Sequence, residues 1–108
     1  MKKPIIQYLT VSQFNEFKRG LSLISGIVFN KTEEYGYTIT VGDDVFIILC
    51  NNPSLSRVEK DIVYWHEKAH ASGIPDEEEA DRWAFKHLDD EGKDLLIKNW
   101  KYRHGHNF

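Results

Sequence analysis

The chain has one cysteine, one methionine and three prolines in 108 residues. A lone thiol cannot close an internal disulfide, so Cys50 points to reducing surroundings. Its place in VFIILC marks it as a small buried apolar group. No apolar stretch approaches the roughly 18–20 residues of a membrane span. The start, MKKPIIQYLT, returns to polar residues before a signal-peptide core develops. A cytoplasmic protein with no membrane partner is expected. Positive charge is also thin: 14 Lys and Arg stand against 17 Asp and Glu, for a net charge of −3. The basic residues are scattered, which argues against nucleic acid, whose phosphates require a clustered basic face. Internal repeats and low-complexity linkers are absent, and the length suits a single domain over residues 1–108.

What the chain does have is aromatic weight and charge. It is 41% hydrophobic and 29% charged, with three Trp, five Tyr and six Phe. That is a globular composition. The core remains small, and a bound metal would add useful stability.

The hydrophobic period changes along the chain. Residues 10–20 read as a helix: Thr10 and Gln13 form a capping-box pattern, Phe14 and Phe17 share a face, and Gly20 is a natural stop. GIVFN (26–30), YGYTITV (35–41) and VFIILC (45–50) read as two or three antiparallel strands, with Gly42-Asp43-Asp44 as a hairpin turn. Beyond Pro53 the period becomes helical. Ser56 and Glu59 form a second capping box, and Val58, Ile62, Trp65 and Ala69 recur at helical spacing up to Gly73. Asp76 caps a further helix with Ala80, Trp83, Ala84 and Leu88 inside and Gly92 at its end. Residues 93–102 suggest a last helix carrying Leu96 and Trp100. The tail, about 103–108, is expected to be loose. The fold class is α+β: an N-terminal helix, a small antiparallel sheet, then two or three helices.

The chemistry lies in YWHEKAHASGIPDEEEADRWA, residues 64–84. His66 and His70 are one helical turn apart, so both imidazoles leave the same face and can reach one metal ion. Glu67 points roughly 100° away at helical spacing, where it can serve a metal-activated water instead. This is the logic of H-E-x-x-H: two zinc ligands and a general base on one helix. A catalytic site needs a third protein ligand. Glu77, Glu78, Glu79 and Asp81 compete for that place. Glu77 shares the buried face of Ala80 and Ala84, and the reversal at Ser72-Gly73 brings it back toward His70. Glu78 aligns with Arg82 and suits a surface pair, while Glu79 aligns with Trp83 and stays open as an alternative. Asp81, one turn from Glu77, suits an acceptor for a ligand histidine's free N–H.

HEKAH together with EEEADRWA resembles the gluzincin zinc metallopeptidases, in particular the E-x-E-A-[DN]-x-[FW]-A segment of ImmA/IrrE-type and HtpX-type peptidases. The resemblance covers about residues 56–90. It implies a minimal zincin-like domain with one Zn2+ per chain, held by His66, His70 and Glu77. It also implies Glu67 as general base, Asp81 behind a ligand histidine, and a protein or peptide substrate, such as a regulatory protein. The substrate would lie extended along an edge strand near residues 36–41. The competing class is a non-catalytic zinc-stabilised interaction domain of phage or mobile-element type. His104 and His106, flanking Gly105, have no assigned part.

Overall fold

A computed structural model describes residues 3–25 and 35–108. Among these the elements are β1 (Ile5–Leu9), α1 (Val11–Ser25), β2 (Gly36–Val41), β3 (Asp44–Cys50), α2 (Arg57–Ala71), α3 (Glu77–His87), α4 (Asp90–Lys98) and α5 (Trp100–His104). The fold is α+β, as the composition of the segments predicts. The chain divides into two compact units, Met1–Pro53 and Ser54–Phe108.

In the first unit β3 is the central strand, in the order β1-β3-β2. A strand with neighbours on both sides suits an unbroken apolar run, and Ile47, Ile48, Leu49 and Cys50 are all buried. β2 pairs antiparallel with β3 and closes at Val41↔Asp44. The connecting Gly42-Asp43 carries positive φ only at Gly42, +61°, as in a type II′ turn. β1 pairs parallel with β3, from Ile5↔Phe46 to Leu9↔Cys50. The sheet is therefore mixed and not wholly antiparallel. β1 has no local signature. Its Ile5, Ile6 and Tyr8 are exposed; the backbone ladder to a distant strand holds it, with Leu9 alone packed against the apolar cluster.

Thr10 and Gln13 form the expected reciprocal cap: the Thr10 N–H donates to Gln13 Oε1 at 3.0 Å and the Gln13 N–H to Thr10 Oγ1 at 3.2 Å. Gly20 does not stop α1, which continues to Ser25. A glycine stop needs positive φ, which Gly20 lacks, and an interior glycine costs only about 1 kcal/mol relative to alanine. Phe14 packs with Ile48 and Cys50 into the apolar cluster of this unit. The GIVFN strand expectation lies outside the described residues.

The second unit is helical. Ser56 caps α2 with the full capping box to Glu59. The helix ends in a Schellman motif: the Gly73 N–H donates to His70 O at 3.0 Å and the Ile74 N–H to Ala69 O at 3.2 Å. Gly73 has φ +96°, the left-handed conformation this stop requires. Asp76 caps α3 by accepting from the Glu79 N–H at 2.9 Å. The small side chains Ala69 on α2 and Ala80 and Ala84 on α3 are fully buried where these two helices pack. Gly92 does not end α3, which stops at His87. Asp89 caps α4 by accepting the Gly92 N–H at 2.9 Å, so Gly92 lies in the first turn of the next helix. A Cβ there would meet Leu88 at 3.0 Å, so glycine answers a close approach. Ile62, Leu88, Leu96 and Trp100 form the core of this unit, with Trp65, Phe85 and Leu95 packed against it. The C-terminal residues, expected to be loose, have definite partners: Phe108 lies 4.8 Å from Trp100 and 5.0 Å from Phe85, between ring centroids. No described helix is long and apolar enough to cross a membrane.

Candidate metal centre

The whole site lies in the second unit. His66, Glu67 and His70 come from the C-terminal half of α2, and Glu77 and Asp81 from the first turns of α3. The tight Ser72–Asp76 connection returns the chain directly beside His70. His66 Nε2 and His70 Nε2 face each other at 3.0 Å. The Glu77 carboxylate meets both, at 3.0 Å from His66 Nε2 and 3.1 Å from His70 Nε2. Glu67 is buried, and its carboxylate lies within 4.8 Å of the ligand nitrogens of both histidines.

The tautomers follow from the opposite edge of each ring. His70 Nδ1 lies 2.6 Å from the Ile74 carbonyl oxygen. A carbonyl only accepts, so Nδ1 carries the proton. The Schellman turn that ends α2 thus also supplies the acceptor that fixes His70. His66 Nδ1 lies 2.7 Å from Asp81 Oδ1, and it donates there in the same way. In their neutral forms both rings would therefore present an Nε2 lone pair to the same point, together with a carboxylate. Three lone-pair donors at such separations repel one another unless a cation or protons stand among them.

The acid–base properties express the same demand. Burial alone would depress the His66 pKa, but its hydrogen bonds to Asp81 and Glu77 outweigh that and raise it to about 9. Glu77 draws the His70 pKa up against its burial, helped by the Ile74 carbonyl. The two imidazoles hold the Glu77 carboxyl well below the usual range. Asp81 is fully buried, which alone would favour its neutral form. Its bonds to His66 and Arg103 prevail and hold it at about 2.

The donor set fits zinc. Bonds of about 2.0–2.1 Å in tetrahedral arrangement separate ligand atoms by roughly 3.3 Å, a few tenths of an ångström beyond the 3.0–3.1 Å found among His66, His70 and Glu77. Two imidazoles and one carboxylate are also a zinc ligand set.

The residues named from the sequence separate clearly. His66, Glu67, His70, Glu77 and Asp81 come together, but Glu77 is exposed (71%) and does not share the buried face of Ala80 and Ala84 that its spacing predicts; it reaches the histidines from the rim of α3. Glu78 does not join them: it pairs with Arg82 at 3.3 Å and with His106. Glu79 sits in the first turn of α3, exposed, with its backbone N–H on Asp76. Sequence reasoning missed Arg103 and His104. Arg103 donates from Nε to Asp81 Oδ2 at 2.7 Å and from its terminal NH2 to Oδ1 at 2.8 Å. His104 Nε2 lies 2.6 Å from Oδ2. Nothing local announces this, since the partners are more than twenty residues apart and RHGHNF has the composition of a free end.

No family model matches the chain, and no match is found among curated proteins or solved structures.

Proposed function

We propose that this chain is a zinc-dependent endopeptidase in which His66, His70 and Glu77 hold one Zn2+ and Glu67 is the general base. The observation that carries this reading is the convergence of two Nε2 lone pairs and the Glu77 carboxylate within 3.0–3.1 Å of one another, with both tautomers fixed from behind. Zinc bound there supplies a Lewis acid that polarises a carbonyl and acidifies water. With a metal on Nε2, Asp81 and the Ile74 carbonyl would hold each imidazole's remaining proton at Nδ1 and keep the ring correctly turned. Glu67, buried beside them with its carboxylate within 4.8 Å of both ligand nitrogens, is assigned the role of base and takes the proton of the attacking water. It then delivers that proton to the amine nitrogen as the C–N bond breaks. The substrate is a peptide bond in a protein or peptide, and the resemblance to ImmA/IrrE-type peptidases favours a regulatory protein over broad digestion.

The first test is zinc content by elemental analysis of untagged wild type, His70→Ala and Glu77→Ala. About one zinc per chain in wild type and a loss in both variants is expected from a three-ligand site. A wild type that takes up no zinc after reconstitution would end this reading.

A second reading is a non-catalytic zinc staple. It is favoured by the way the site and Asp81 tie α2, α3 and α5 together in a small unit, where a metal contributes much of the stability. Peptide-library cleavage read by mass spectrometry separates the two: zinc-loaded protein that cuts nothing supports the staple.

A further inference from the structure

We propose that α5 belongs to the metal centre: Arg103 and His104 clamp the Asp81 carboxylate and thereby aim the His66 imidazole on which zinc uptake depends. The proposal rests on the zinc reading above and adds two positioning residues to it.

Asp81 has no exposed surface. Its Oδ1 accepts from His66 Nδ1 at 2.7 Å and from the Arg103 terminal NH2 at 2.8 Å. Its Oδ2 accepts from Arg103 Nε at 2.7 Å and faces His104 Nε2 at 2.6 Å. A carboxylate offers about four acceptor positions, so this group is fully engaged. A carboxylate held by one imidazole alone could turn about its own axis. The planar two-pronged guanidinium contact fixes the carboxylate plane. That plane sets the direction from which Oδ1 receives the His66 N–H. Because Nδ1 and Nε2 lie on opposite edges of one rigid ring, the same contact sets where the Nε2 lone pair points. The Arg103 charge also offsets the cost of keeping Asp81 ionised away from water, and only the ionised form is a strong acceptor.

The clamp has a rigid mount. α5 starts at Trp100, fully buried in the core with Ile62, Leu88 and Leu96. The His104 ring lies 4.4 Å from the Trp100 ring, between centroids, so the arm reaching Asp81 is anchored in the core and does not hang from a free end.

The test uses the full chain. Zinc affinity is measured by competition with a chromophoric chelator for wild type, Arg103→Ala and Arg103→Lys. The His66 Nδ1 proton resonance of the chelator-treated proteins is followed by NMR. Arg103→Ala is expected to bind zinc roughly 10–100-fold more weakly, the usual loss when a group behind a metal ligand is removed. Arg103→Lys keeps the charge without the two-pronged contact and should fall between. The His66 proton resonance should move in both variants, which a merely structural role for Arg103 would not cause. An Arg103→Ala protein that is folded, binds zinc within about twofold of wild type and leaves that resonance in place overturns the clamp alone. If Arg103→Ala does not fold, Arg103→Lys decides on the same two readouts. A wild type that binds no zinc ends the zinc reading and the clamp with it, an outcome distinct from a zinc-binding wild type with an indifferent variant.

Discussion

Among the described residues, Met1–Pro53 buries Phe14, Ile47, Ile48, Leu49 and Cys50, all apolar, whereas Ser54–Phe108 buries His66, Glu67 and Asp81 beside Ile62, Leu88, Leu96 and Trp100. Both units have an apolar core, and the second adds buried ionisable groups to it. Apolar burial is non-directional and tolerates small shifts. A buried imidazole or carboxylate must find partners at hydrogen-bond distance and in the right direction, or it costs several kcal/mol. The buried ionisable groups of the second unit, His66, Glu67 and Asp81, coincide with the site for which catalytic chemistry is proposed above.

The largest expected effect falls on that chemistry. Glu67→Gln keeps the side-chain size and removes the base, so turnover should fall roughly 10²–10⁴-fold, with zinc content unchanged by elemental analysis. A variant that cleaves as fast as wild type would remove Glu67 from the mechanism and leave the buried carboxylate unexplained.

Stability sharpens the contrast next. Phe14→Ala empties an apolar site in the first unit and should cost about 3–5 kcal/mol. Asp81→Ala strips the acceptor from Arg103, His66 and His104 and should cost a similar amount, about 3–5 kcal/mol. Chelator tells them apart in urea unfolding. Wild type and Phe14→Ala should lose the same increment when zinc is removed, since zinc stabilises only the form that binds it. Asp81→Ala should lose little more. Equal chelator responses in all three proteins would mean that Asp81 is structural and has no hold on the metal.

The same contrast governs how much the sequence reveals. Caps and stops are local, so Thr10–Gln13, Ser56–Glu59, Asp76 and Gly73 are legible and sit where the pattern puts them. His66, Glu67, His70 and Glu77 are legible because helical spacing and one short turn bring them together. Gly20 and Gly92 mislead because glycine answers two needs, a left-handed stop and a close approach, and only packing tells which. β1 and the Arg103–His104 pair are illegible for a common reason. Each is held by a partner far along the chain, β3 for the one and Asp81 for the other, and neither has a periodicity of its own.

A smaller effect is the pH response of chelator-treated protein. The His66 pKa stands near 9 against an ordinary 6.5. Its contribution to stability is therefore complete below about pH 6.5 and is lost as pH rises through about 9. His70 is shifted in the same direction. Asp81 works at the other end: held at about 2 against 3.8, it contributes above about pH 4 and ceases to as pH falls through about 2. The urea midpoint of chelator-treated wild type should thus decline between pH 6.5 and 9, and zinc, by replacing the protons among the three donors, should flatten that decline. A midpoint equally flat with and without zinc would mean that His66 is not held by Glu77 and Asp81 in solution.

The smallest effect gives the cleanest comparison, because the two units contain matched glycines. Gly42 turns the β2–β3 hairpin at φ +61°, and Gly73 ends α2 at φ +96°. A Cβ at either position would meet nothing within 4 Å. Alanine at each site therefore adds backbone strain and no clash, at a cost of about 1 kcal/mol. In the hairpin that cost should be the whole effect, with zinc affinity unchanged. At Gly73 the strain falls on the turn that delivers the Ile74 carbonyl to His70 Nδ1. Gly73→Ala should therefore also weaken zinc binding, by several-fold up to about 10-fold. Two variants with the same stability loss and different zinc affinities would show that the helix stop serves the metal centre. Equal zinc affinities would make the Schellman turn a chain reversal only, and the orientation of His70 would then have to come from Glu77.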